Sequence, residues 1–468
     1  MPDNLADWLT YLESLHPKTI ALGLERVAQV KQRLNLQPDF PVIIVGGTNG
    51  KGSVCAMLES ILHAAGYRVG CYTSPHLLEY NERVRVGKQP ASDAELCASF
   101  AQIELARKPL PPGSDSTSPT PTLKEQLAIR LGGQTTPAKS LVIPREERGQ
   151  SPESIDIPLT YFEFGTLAAM QCFIEHRVDV AILEVGLGGR LDAVNAFDAD
   201  CAVVASVDID HTDYLGTTRE QIAFEKAGIF RKGRVAICAD ADVPLALRKH
   251  AQEIGAPLWC IGSEFGFTRH EGQWDYRSNA GSRSALPYPA LRGAFQLHNA
   301  SAALAALDAV KDKLPVNMQA VRRGLSEVVL AGRFQFIPGQ PQLILDVGHN
   351  PHAARSLAQN LANLPPAKTF AVFSMLKDKD IDGVVKALDA QVDVWLVAGI
   401  DAPRGATTAE LVQVLQNARV HGEVKPCLSI ADALHEASNR AGENDRIAAF
   451  GSFYTVAEVM RMRGLRGG

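Results

Sequence analysis

"VIIVGGTNGKGSVCAMLESIL", residues 42–62, combines an apolar strand, a glycine-rich turn and a helix pattern in that order. The usual phosphate-binding loop reads G-x-x-x-x-G-K-[ST], with the hydroxyl directly after the lysine. Here Gly52 follows Lys51, the hydroxyl arrives one residue late at Ser53, and Val45 stands at the first glycine position. The order of strand, loop and helix still predicts a phosphate site, because backbone N–H groups and the positive helix end bind anions. The alternative is a structural glycine turn with a solvent-exposed lysine.

The composition is that of a globular protein. A chain of 468 residues exceeds one ordinary core, so two or three domains are expected. A net charge of −5 gives no general affinity for nucleic acid. Eight cysteines form no C-x-x-C pair, which argues against a disulfide framework and a structural zinc site. Neither a signal peptide nor an apolar run of membrane length is evident, so we expect a cytoplasmic protein without a membrane partner.

Strand and helix patterns alternate along the first half of the chain. Near-continuous apolar runs such as VDVAILEV predict a parallel sheet covered on both faces, and therefore an α/β fold. The predicted strands are 42–46, 68–72, 179–185, 200–207, 234–239 and 258–261, and the predicted helices are 51–65, 166–176 and 218–230.

A second α/β unit follows a Pro- and Gly-containing segment, ALPYPALRGAFQLHNA. The division therefore falls into a first domain at 1–296 and a smaller one at 297–468. Residues 107–158 are rich in Pro, Ser and Thr and predict an exposed, flexible insertion. The second unit has predicted helices at 298–313, 318–330, 352–363, 380–389, 407–417 and 430–441, and predicted strands at 342–347, 368–374, 393–398 and 445–451.

Polar residues at the ends of predicted strands are candidates for a site, since ligands bind at the carboxyl ends of open parallel sheets. Ser74 follows one strand, and its hydroxyl suits Mg²⁺, which prefers oxygen ligands. Glu184 ends an apolar run, where a carboxylate is unfavourable unless it is paired or bound to metal. Pairing with Arg190 is the structural alternative, and we favour the metal. His211 lies in a cluster of aspartates, and from spacing alone we interpret it as a residue that orients a metal ligand.

Lys226 lies among apolar residues in the segment FEKAGIF. A partly buried lysine has a lowered pKa and can act as a nucleophile. The alternative is an ion pair with a glutamate such as Glu225, and the residues alone favour that ion pair.

Three positions in the second unit are suited to a nucleotide. Asn299 stands at the start of a helix, where it is also a good cap. Arg333 carries a guanidinium that matches phosphate oxygens. Asp346 ends a strand before a Gly-His-Asn-Pro turn and a helix.

The set of segments is similar to one known family. GTNGKGS, TSPHL, LEVGLGGRLDAVN, DHTDYLG, EKAGIF, GRFQ, DVGHNPHAA and GSF occur in the order found in the folylpolyglutamate synthase and dihydrofolate synthase family, a branch of the Mur ligases. The resemblance covers nearly the whole chain apart from 107–158 and weaker stretches in 262–292. The ATP loop of that family itself reads G-T-N-G-K-G-[ST], so the late serine is typical of it.

The resemblance implies a Mur-ligase-like ATP-binding domain with a parallel-rich sheet, followed by a smaller Rossmann-like α/β domain. It also overrules the interpretation of His211 from spacing and makes it a Mg²⁺ ligand. Two Mg²⁺ ions are implied, and Lys226 matches a lysine that is carbamylated in similar enzymes. The implied ATP contacts are Thr48, Asn49, Gly50, Lys51, Asn299, Arg333 and Asp346; the metal ligands are Ser74, Glu184 and His211; and the catalytic set is Lys51, Lys226 and His211.

The resemblance further implies the substrates. Dihydropteroate, tetrahydrofolate or its polyglutamates, and L-glutamate would react with ATP in a monomeric ligase. The implied pterin contacts are Thr19, Ile20, Ala21, Thr160, Tyr161, Phe162, Glu163, Leu191, Asp192 and Ala193. Ala21 departs from the bacterial pattern, which often has an acidic residue there, so folylpolyglutamate synthase activity alone is the alternative.

Other classes fit the sequence less well. The phosphate loop begins near residue 46, which leaves too little chain before it for the UDP-binding domain of a cell-wall Mur ligase. A non-catalytic regulator would not need all of Lys51, Glu184, His211, Lys226 and Asp346. A small kinase would turn over without glutamate.

Overall fold

The chain folds around two large β-sheets and a small antiparallel sheet. The computed structural model describes residues 1–16, 20–108 and 156–467. The first sheet contains β1 (Val42–Gly46), β2 (Val69–Tyr72), β3 (Val84–Val86), β4 (Gln89–Pro90), β5 (Val180–Glu184), β6 (Cys201–Val204), β7 (Ala236–Cys238) and β8 (Leu258–Cys260). The small sheet contains β9 (Phe265–Arg269), β10 (Gln273–Ser278) and β11 (Gly281–Pro287). The last sheet contains β12 (Gln335–Ile337), β13 (Gln342–Asp346), β14 (Thr369–Phe373), β15 (Val394–Val397), β16 (Glu423–Pro426) and β17 (Arg446–Phe450).

Helices cover both faces of the large sheets. Up to the small sheet they are α1 (Leu5–Ser14), α2 (Glu25–Leu34), α3 (Lys51–Ala64), α4 (Asp93–Arg107), α5 (Tyr161–Glu175), α6 (Thr212–Leu215), α7 (Arg219–Ala227) and α8 (Leu245–Ile254). After it they are α9 (Gln296–Ala309), α10 (Met318–Glu327), α11 (Pro351–Ala362), α12 (Ile381–Leu388), α13 (Thr408–Ala418), α14 (Ile430–Arg440) and α15 (Phe453–Met462). No helix in these described ranges is long and apolar enough to cross a membrane.

The strand order of the first sheet places the phosphate loop at its centre. The order is β4-β3-β2-β5-β1-β6-β7-β8, and β2, β5, β1, β6, β7 and β8 are parallel. Val45 pairs with Glu184 and Gly46 with Val204, so the carboxyl ends of β5, β1 and β6 lie side by side. The predicted α/β fold with its parallel sheet is confirmed. The antiparallel strands β3 and β4 and the small sheet were not predicted.

The second large sheet has the order β12-β13-β17-β14-β15-β16. All of its neighbouring strands are parallel except β12, which runs antiparallel to β13. This is the Rossmann-like sheet expected for the second unit, with an antiparallel strand at one edge.

The helix α9 packs on the first sheet and α10 packs on α3, although the sequence places both helices at the start of the second unit. Buried apolar residues of α3, β1, α9 and α10 form one cluster. Gly324 of α10 lies so close to Ile61 of α3 that a Cβ has no room there. The division at 297 remains a prediction, and this packing favours a division nearer to residue 330.

Residues at both ends of the predicted insertion 107–158 belong to the folded part of the chain. The Arg107 side chain is buried in an ion pair with Glu104 at 2.6 Å, and the backbone N–H of Ile157 donates to the carbonyl of Arg107 at 2.9 Å. Ile157 is itself buried. Residues 109–155, which make up the rest of the predicted flexible segment, lie outside the described residues.

Candidate active site

Residues that follow strands of both large sheets line one cavity of about 440 Å³. The cavity therefore lies where parallel sheets generally bind ligands. All of the residues predicted to contact ATP or metal or to act in catalysis line it: Thr48, Asn49, Gly50, Lys51, Ser74, Glu184, His211, Lys226, Asn299, Arg333 and Asp346.

The phosphate loop is held in shape by its own backbone and by the end of β6. Gly50 precedes α3 with a φ of 84°, a conformation that glycine adopts without strain. The ammonium of Lys51 donates to the carbonyls of Gly47 at 3.1 Å and Thr48 at 3.3 Å. The hydroxyl of Thr48 donates to the carbonyl of Asp208 at 3.0 Å. The loop thus places a lysine at the first turn of a helix, an arrangement suited to anions.

Glu184 and Ser74 lie together, as predicted. Glu184 is 5% exposed, and its carboxylate accepts a hydrogen bond from the backbone N–H of Ser74 at 3.0 Å. Burial raises the pKa of Glu184, while the charge of Lys51 opposes that rise. The alternative partner Arg190 instead pairs with Glu225 at 2.9 Å. The alternative of a Glu184–Arg190 pair, which we did not favour, is therefore excluded, and Glu184 lines the cavity.

His211 has a left-handed backbone, with a φ of 52°, which is uncommon for a residue with a side chain. Its Nε2 atom is 3.2 Å from the ammonium of Lys379. Lys379 lies in the part of the chain that forms the second large sheet, which we call the second sheet's part of the chain. Burial lowers the pKa of His211 to about 4, and Lys379 adds to the effect. The imidazole is therefore neutral at physiological pH, the form that binds metals.

Lys226 is buried without a partner. The residue is 3% exposed, and its ammonium makes no hydrogen bond or ion pair with any described residue. Glu225, the neighbour proposed as its partner, pairs with Arg190 instead, so the ion-pair interpretation is wrong. Burial, followed by the charge of Lys51, lowers the pKa of Lys226 to about 7.

The second part of the chain contributes a guanidinium and a carboxylate to the cavity. Arg333 stacks over the ring of Phe453, 5.2 Å from its centroid. Burial lowers the pKa of Arg333. Asp346 accepts hydrogen bonds from the backbone N–H groups of Phe334 at 2.9 Å and Gly348 at 2.7 Å. Both side chains are thus held in place toward the same space as Gly50 and Lys51.

Two Mur ligase family models match the chain, the middle domain at residues 130–307 and the glutamate ligase domain at 332–453. The chain is 42% identical to the dihydrofolate synthase/folylpolyglutamate synthase of Escherichia coli, over 98% of this chain and 95% of that protein. It is 38% identical to the protein of the same name from Haemophilus influenzae, over 97% and 96% of the two chains. The chain belongs to the dihydrofolate synthase/folylpolyglutamate synthase family.

Solved structures of this family have the same fold. E. coli FolC in complex with DHPP and ADP superposes with a TM-score of 0.84 at 42% identity, covering 99% of both chains. A bifunctional folylpolyglutamate synthase/dihydrofolate synthase with Mn, AMPPNP and L-glutamate bound superposes with a TM-score of 0.82 at 41% identity, covering 99% of this chain and 98% of that one. The Mur ligase architecture expected from the sequence is therefore confirmed.

The metal ligands that the family implies fit the donor set around the cavity. In the described ranges no three His, Cys, Asp or Glu side chains form a metal cluster. Glu184 and His211 are two such side chains, and Ser74 adds a hydroxyl beside Glu184. Mg²⁺ is usually held by one or two carboxylates together with water and substrate phosphates, so this sparse set is sufficient.

The segments predicted to contact the pterin meet behind this cavity, and none of their described residues lines it. Arg26 donates to the carbonyl of Ala21 at 2.7 Å and to the carboxylate of Glu163 at 2.7 Å. The N–H of Gly23 donates to the carbonyl of Leu191 at 3.3 Å. The loop after residue 20 is thus tied to both other segments. Thr19 lies outside the described residues.

The other predicted pterin residues are packed in different ways. Thr160 caps α5, and the Tyr161 ring lies against Tyr80 with the guanidinium of Arg83 over it. Phe162 contacts Gly186, a residue that does line the cavity. Asp192 and Ala193 are buried, with exposures of 4% and 3%. Burial raises the pKa of Asp192 to about 7.

Two residues of the second sheet's part that bear on the site were not predicted. Asn350 pairs its side-chain amide with that of Asn49, with both N–O distances at 3.1 Å. Lys379 reaches Asp210 at 2.8 Å as well as His211. The available signal was a lysine and an asparagine after the ends of predicted strands, which is where the other site residues were found.

Proposed function

We propose that the chain is an ATP-dependent amide ligase that adds L-glutamate to dihydropteroate, forming dihydrofolate, and to tetrahydrofolate and its polyglutamates. The observation that carries the proposal is the shared cavity. It joins a phosphate loop, a buried carboxylate, an unpaired buried lysine and a guanidinium from the second sheet. The names and bound molecules of the family members described above support the same activity.

The proposed reaction has two covalent steps. A carboxylate oxygen of the pterin substrate attacks the γ-phosphorus of ATP, and the bond to the β–γ bridging oxygen breaks, which releases ADP. The amine of L-glutamate then attacks the carbonyl carbon of the acyl phosphate. Phosphate leaves, the nitrogen loses a proton, and an amide forms.

Residues of the loop and of the second domain position the nucleotide. Lys51 balances charge on the transferred phosphoryl group, which is mainly a positioning and electrostatic task. Thr48, Asn49 and Gly50 hold the phosphates, and Asn299, Arg333 and Asp346 contact ATP from the other side. Because water would hydrolyse the acyl phosphate, a site enclosed by two domains suits this chemistry.

Ser74, Glu184 and His211 would hold Mg²⁺, which when bound neutralises phosphate charge. Lys226 would be carbamylated. Its neutral amine would attack the carbon of carbon dioxide and lose a proton to solvent, and the resulting carbamate would place an anion where the unmodified chain has an amine or an ammonium. The low pKa and the missing partner of Lys226 support this assignment.

The pterin would lie along the segments joined by Arg26, namely Ile20 and Ala21 with Thr19, residues 160–163 and residues 191–193. The contacts of Arg26 with Ala21 and Glu163 support a shared binding wall. We further propose a monomer that works in the cytoplasm. All eight cysteines are free thiols, which suits a reducing compartment.

The alternative is folylpolyglutamate synthase activity alone, and Ala21 is the residue that favours it. The test measures ADP release with dihydropteroate and with tetrahydrofolate, each with and without L-glutamate. Glutamate-dependent turnover of both substrates is expected. Turnover of tetrahydrofolate alone selects the alternative, and ADP release that does not require glutamate contradicts the ligase.

A further inference from the structure

Several side-chain contacts connect the second sheet's part of the chain to the phosphate loop and to the segment after β6. Asn49 lies 2.9 Å from Nδ1 of His352, and Arg355 pairs with Asp208 at 3.0 Å. Four further contacts involve Lys379 or Asn350. Lys379 donates to Asp210 at 2.8 Å and lies 3.2 Å from Nε2 of His211. Asn350 donates to Asp210 at 3.0 Å and pairs with Asn49 of the phosphate loop at 3.1 Å. The carboxylate of Asp210 is the centre of this network, since it also accepts from the N–H of His211 at 2.8 Å.

The network is shielded from solvent. The side chains of Lys379 and Asp210 are 7% and 10% exposed, and Asn350 is 2% exposed. Charges in such a position are little screened by water or salt, so their arrangement is tightly coupled to their partners. The backbone of His211, with its left-handed φ of 52°, is held between these contacts.

The contact between Lys379 and His211 occupies a lone pair. An ammonium can only donate a hydrogen bond, so Nε2 of His211 must be the acceptor. A neutral imidazole has one such lone pair, and a metal ion bound through Nε2 needs the same one. Lys379 and the metal therefore cannot both be bound to that nitrogen.

We propose that Lys379 is a positioning residue whose ammonium is hydrogen-bonded to Asp210 and to Nε2 of His211. The hydrogen bond to Nε2 must break when a metal ion binds to that nitrogen. This rests on the proposed function, in which His211 is a metal ligand. Asp210 keeps the ammonium nearby after the exchange. Metal binding on the first domain thereby loosens one of the contacts that connect it to the second domain, so site occupancy and domain contact are linked.

The test compares Lys379→Met with Lys377→Met, which removes the same charge two residues away at an exposed position. The probe is Mn²⁺ titrated into the full chain with saturating ADP, with free Mn²⁺ followed by electron paramagnetic resonance. A protein-free titration with the same ADP gives the Mn²⁺ that the nucleotide binds in solution, and this amount is subtracted. ADP binding without metal is measured by calorimetry. Coupling between two binding events typically changes an affinity by about fivefold or more, so Lys379→Met should bind Mn²⁺ at least about fivefold more tightly. Lys377→Met should match the unaltered chain.

A second pair of variants separates the competition from the attraction of cations to an unpaired Asp210. Lys379→Met leaves Asp210 unpaired, and an unpaired carboxylate attracts any cation. The comparison is therefore repeated in an Asp210→Asn background, which also removes the buried unpaired charge that could impair folding. Tighter Mn²⁺ binding on Lys379→Met in both backgrounds supports the proposal.

Three results overturn it. The first is unchanged or weaker Mn²⁺ binding by Lys379→Met with normal ADP binding. The second is tighter Mn²⁺ binding by Lys379→Met when Asp210 is native but not when it is replaced by Asn. The third is no Mn²⁺ binding by any ADP-loaded variant. Failure of the proposed function is recognised by the calorimetric measurement, because the unaltered chain would then not bind ADP.

Discussion

Gly50 and Asn299 are in such close contact that a Cβ atom on Gly50 would lie 2.6 Å from Oδ1 of Asn299. The phosphate loop and the start of α9 therefore meet without a side chain between them. Asn299 is 6% exposed, and its side-chain amide donates to Gln296 at 3.1 Å. The Asn299 side chain therefore has little room to move away from position 50. Glycine at position 50 is required both for the backbone conformation and for this contact.

Gly50→Ala should weaken ADP binding by about tenfold or more, which corresponds to ~1.4 kcal/mol. The added Cβ displaces Asn299 and strains a backbone with a φ of 84°. Gly66→Ala is the matched control, since Gly66 follows the other end of α3 with a φ of 95° and has no atom within 4 Å of the built Cβ. It should lose only the roughly 1–2 kcal/mol of left-handed strain in stability and leave ADP binding unchanged. Equal ADP affinities in the two variants would contradict the role of this contact.

Lys51→Ala should lower turnover by about two to three orders of magnitude, as removal of one electrostatic stabiliser typically does. Its ammonium now donates only to two loop carbonyls, so its loss removes little packing and the fold should persist. Steady-state ADP release and a thermal melt measure the two effects. Lys232→Ala, at an exposed lysine, is the control for loss of one positive charge. Near-normal turnover by a folded Lys51→Ala chain would exclude the phosphate-loop assignment.

The parallel strand β16 was not predicted, since it contains two charged residues and none of its residues is buried. The other parallel strands of both large sheets were predictable because most are nearly continuous apolar runs followed by a turn and a helix. β1 and β5, for example, are buried at every residue. The small sheet was not predictable in this way. Its strand β11 alternates little and is mostly exposed, so it has no apolar pattern to detect. The amphipathic pattern of α10 predicted a helix, but such a pattern does not show which sheet the helix covers.

The site residues at strand ends were predictable for the same reason, since parallel strands bring their carboxyl ends together. Ser74, Glu184 and Asp346 are examples. Pairings between distant residues were not, because Lys379 and Asp210 are 169 positions apart and meet only through the packing of two sheets. The predicted ion pair between Glu225 and Lys226 was wrong for another reason, since adjacent residues of a helix do not face each other.

Arg26→Met should raise the KM for dihydropteroate or tetrahydrofolate by roughly tenfold and leave the KM for ATP unchanged. The substitution removes the hydrogen bonds to Ala21 and to Glu163, whose carboxylate is then buried without its cation. Arg33→Met is the control on the same helix, because the hydrogen bonds of Arg33 to described residues go to the backbone carbonyls of Ala106 and Lys108. An equal rise in both KM values for Arg26→Met, or the same change in Arg33→Met, would indicate a general structural role instead of a pterin wall.

Lys226→Ala should abolish most activity, and Lys226→Glu should retain a small part by supplying a shorter carboxylate. Carbon dioxide reacts only with the neutral amine, and burial lowers the pKa of Lys226 to about 7. Below that pKa the lysine is an ammonium and above it an amine. At a fixed carbon dioxide concentration, stimulation of carbon dioxide-depleted enzyme should therefore increase between about pH 6 and about pH 8.

The modification can be observed directly with ¹³C-labelled bicarbonate, which should give a carbamate resonance in the unaltered chain and none in Lys226→Ala. Activity of Lys226→Ala should not respond to bicarbonate, which makes this variant the control for effects elsewhere in the chain. An ordinary exposed ion pair contributes only about 0–1 kcal/mol and would give mild effects on turnover. An active Lys226→Ala enzyme, together with an unaltered chain that shows no carbamate resonance, would rule out the modification. The fold makes that result unexpected, because it leaves Lys226 3% exposed in the cavity of the phosphate loop, with no carboxylate of the described residues in a hydrogen bond or ion pair with it.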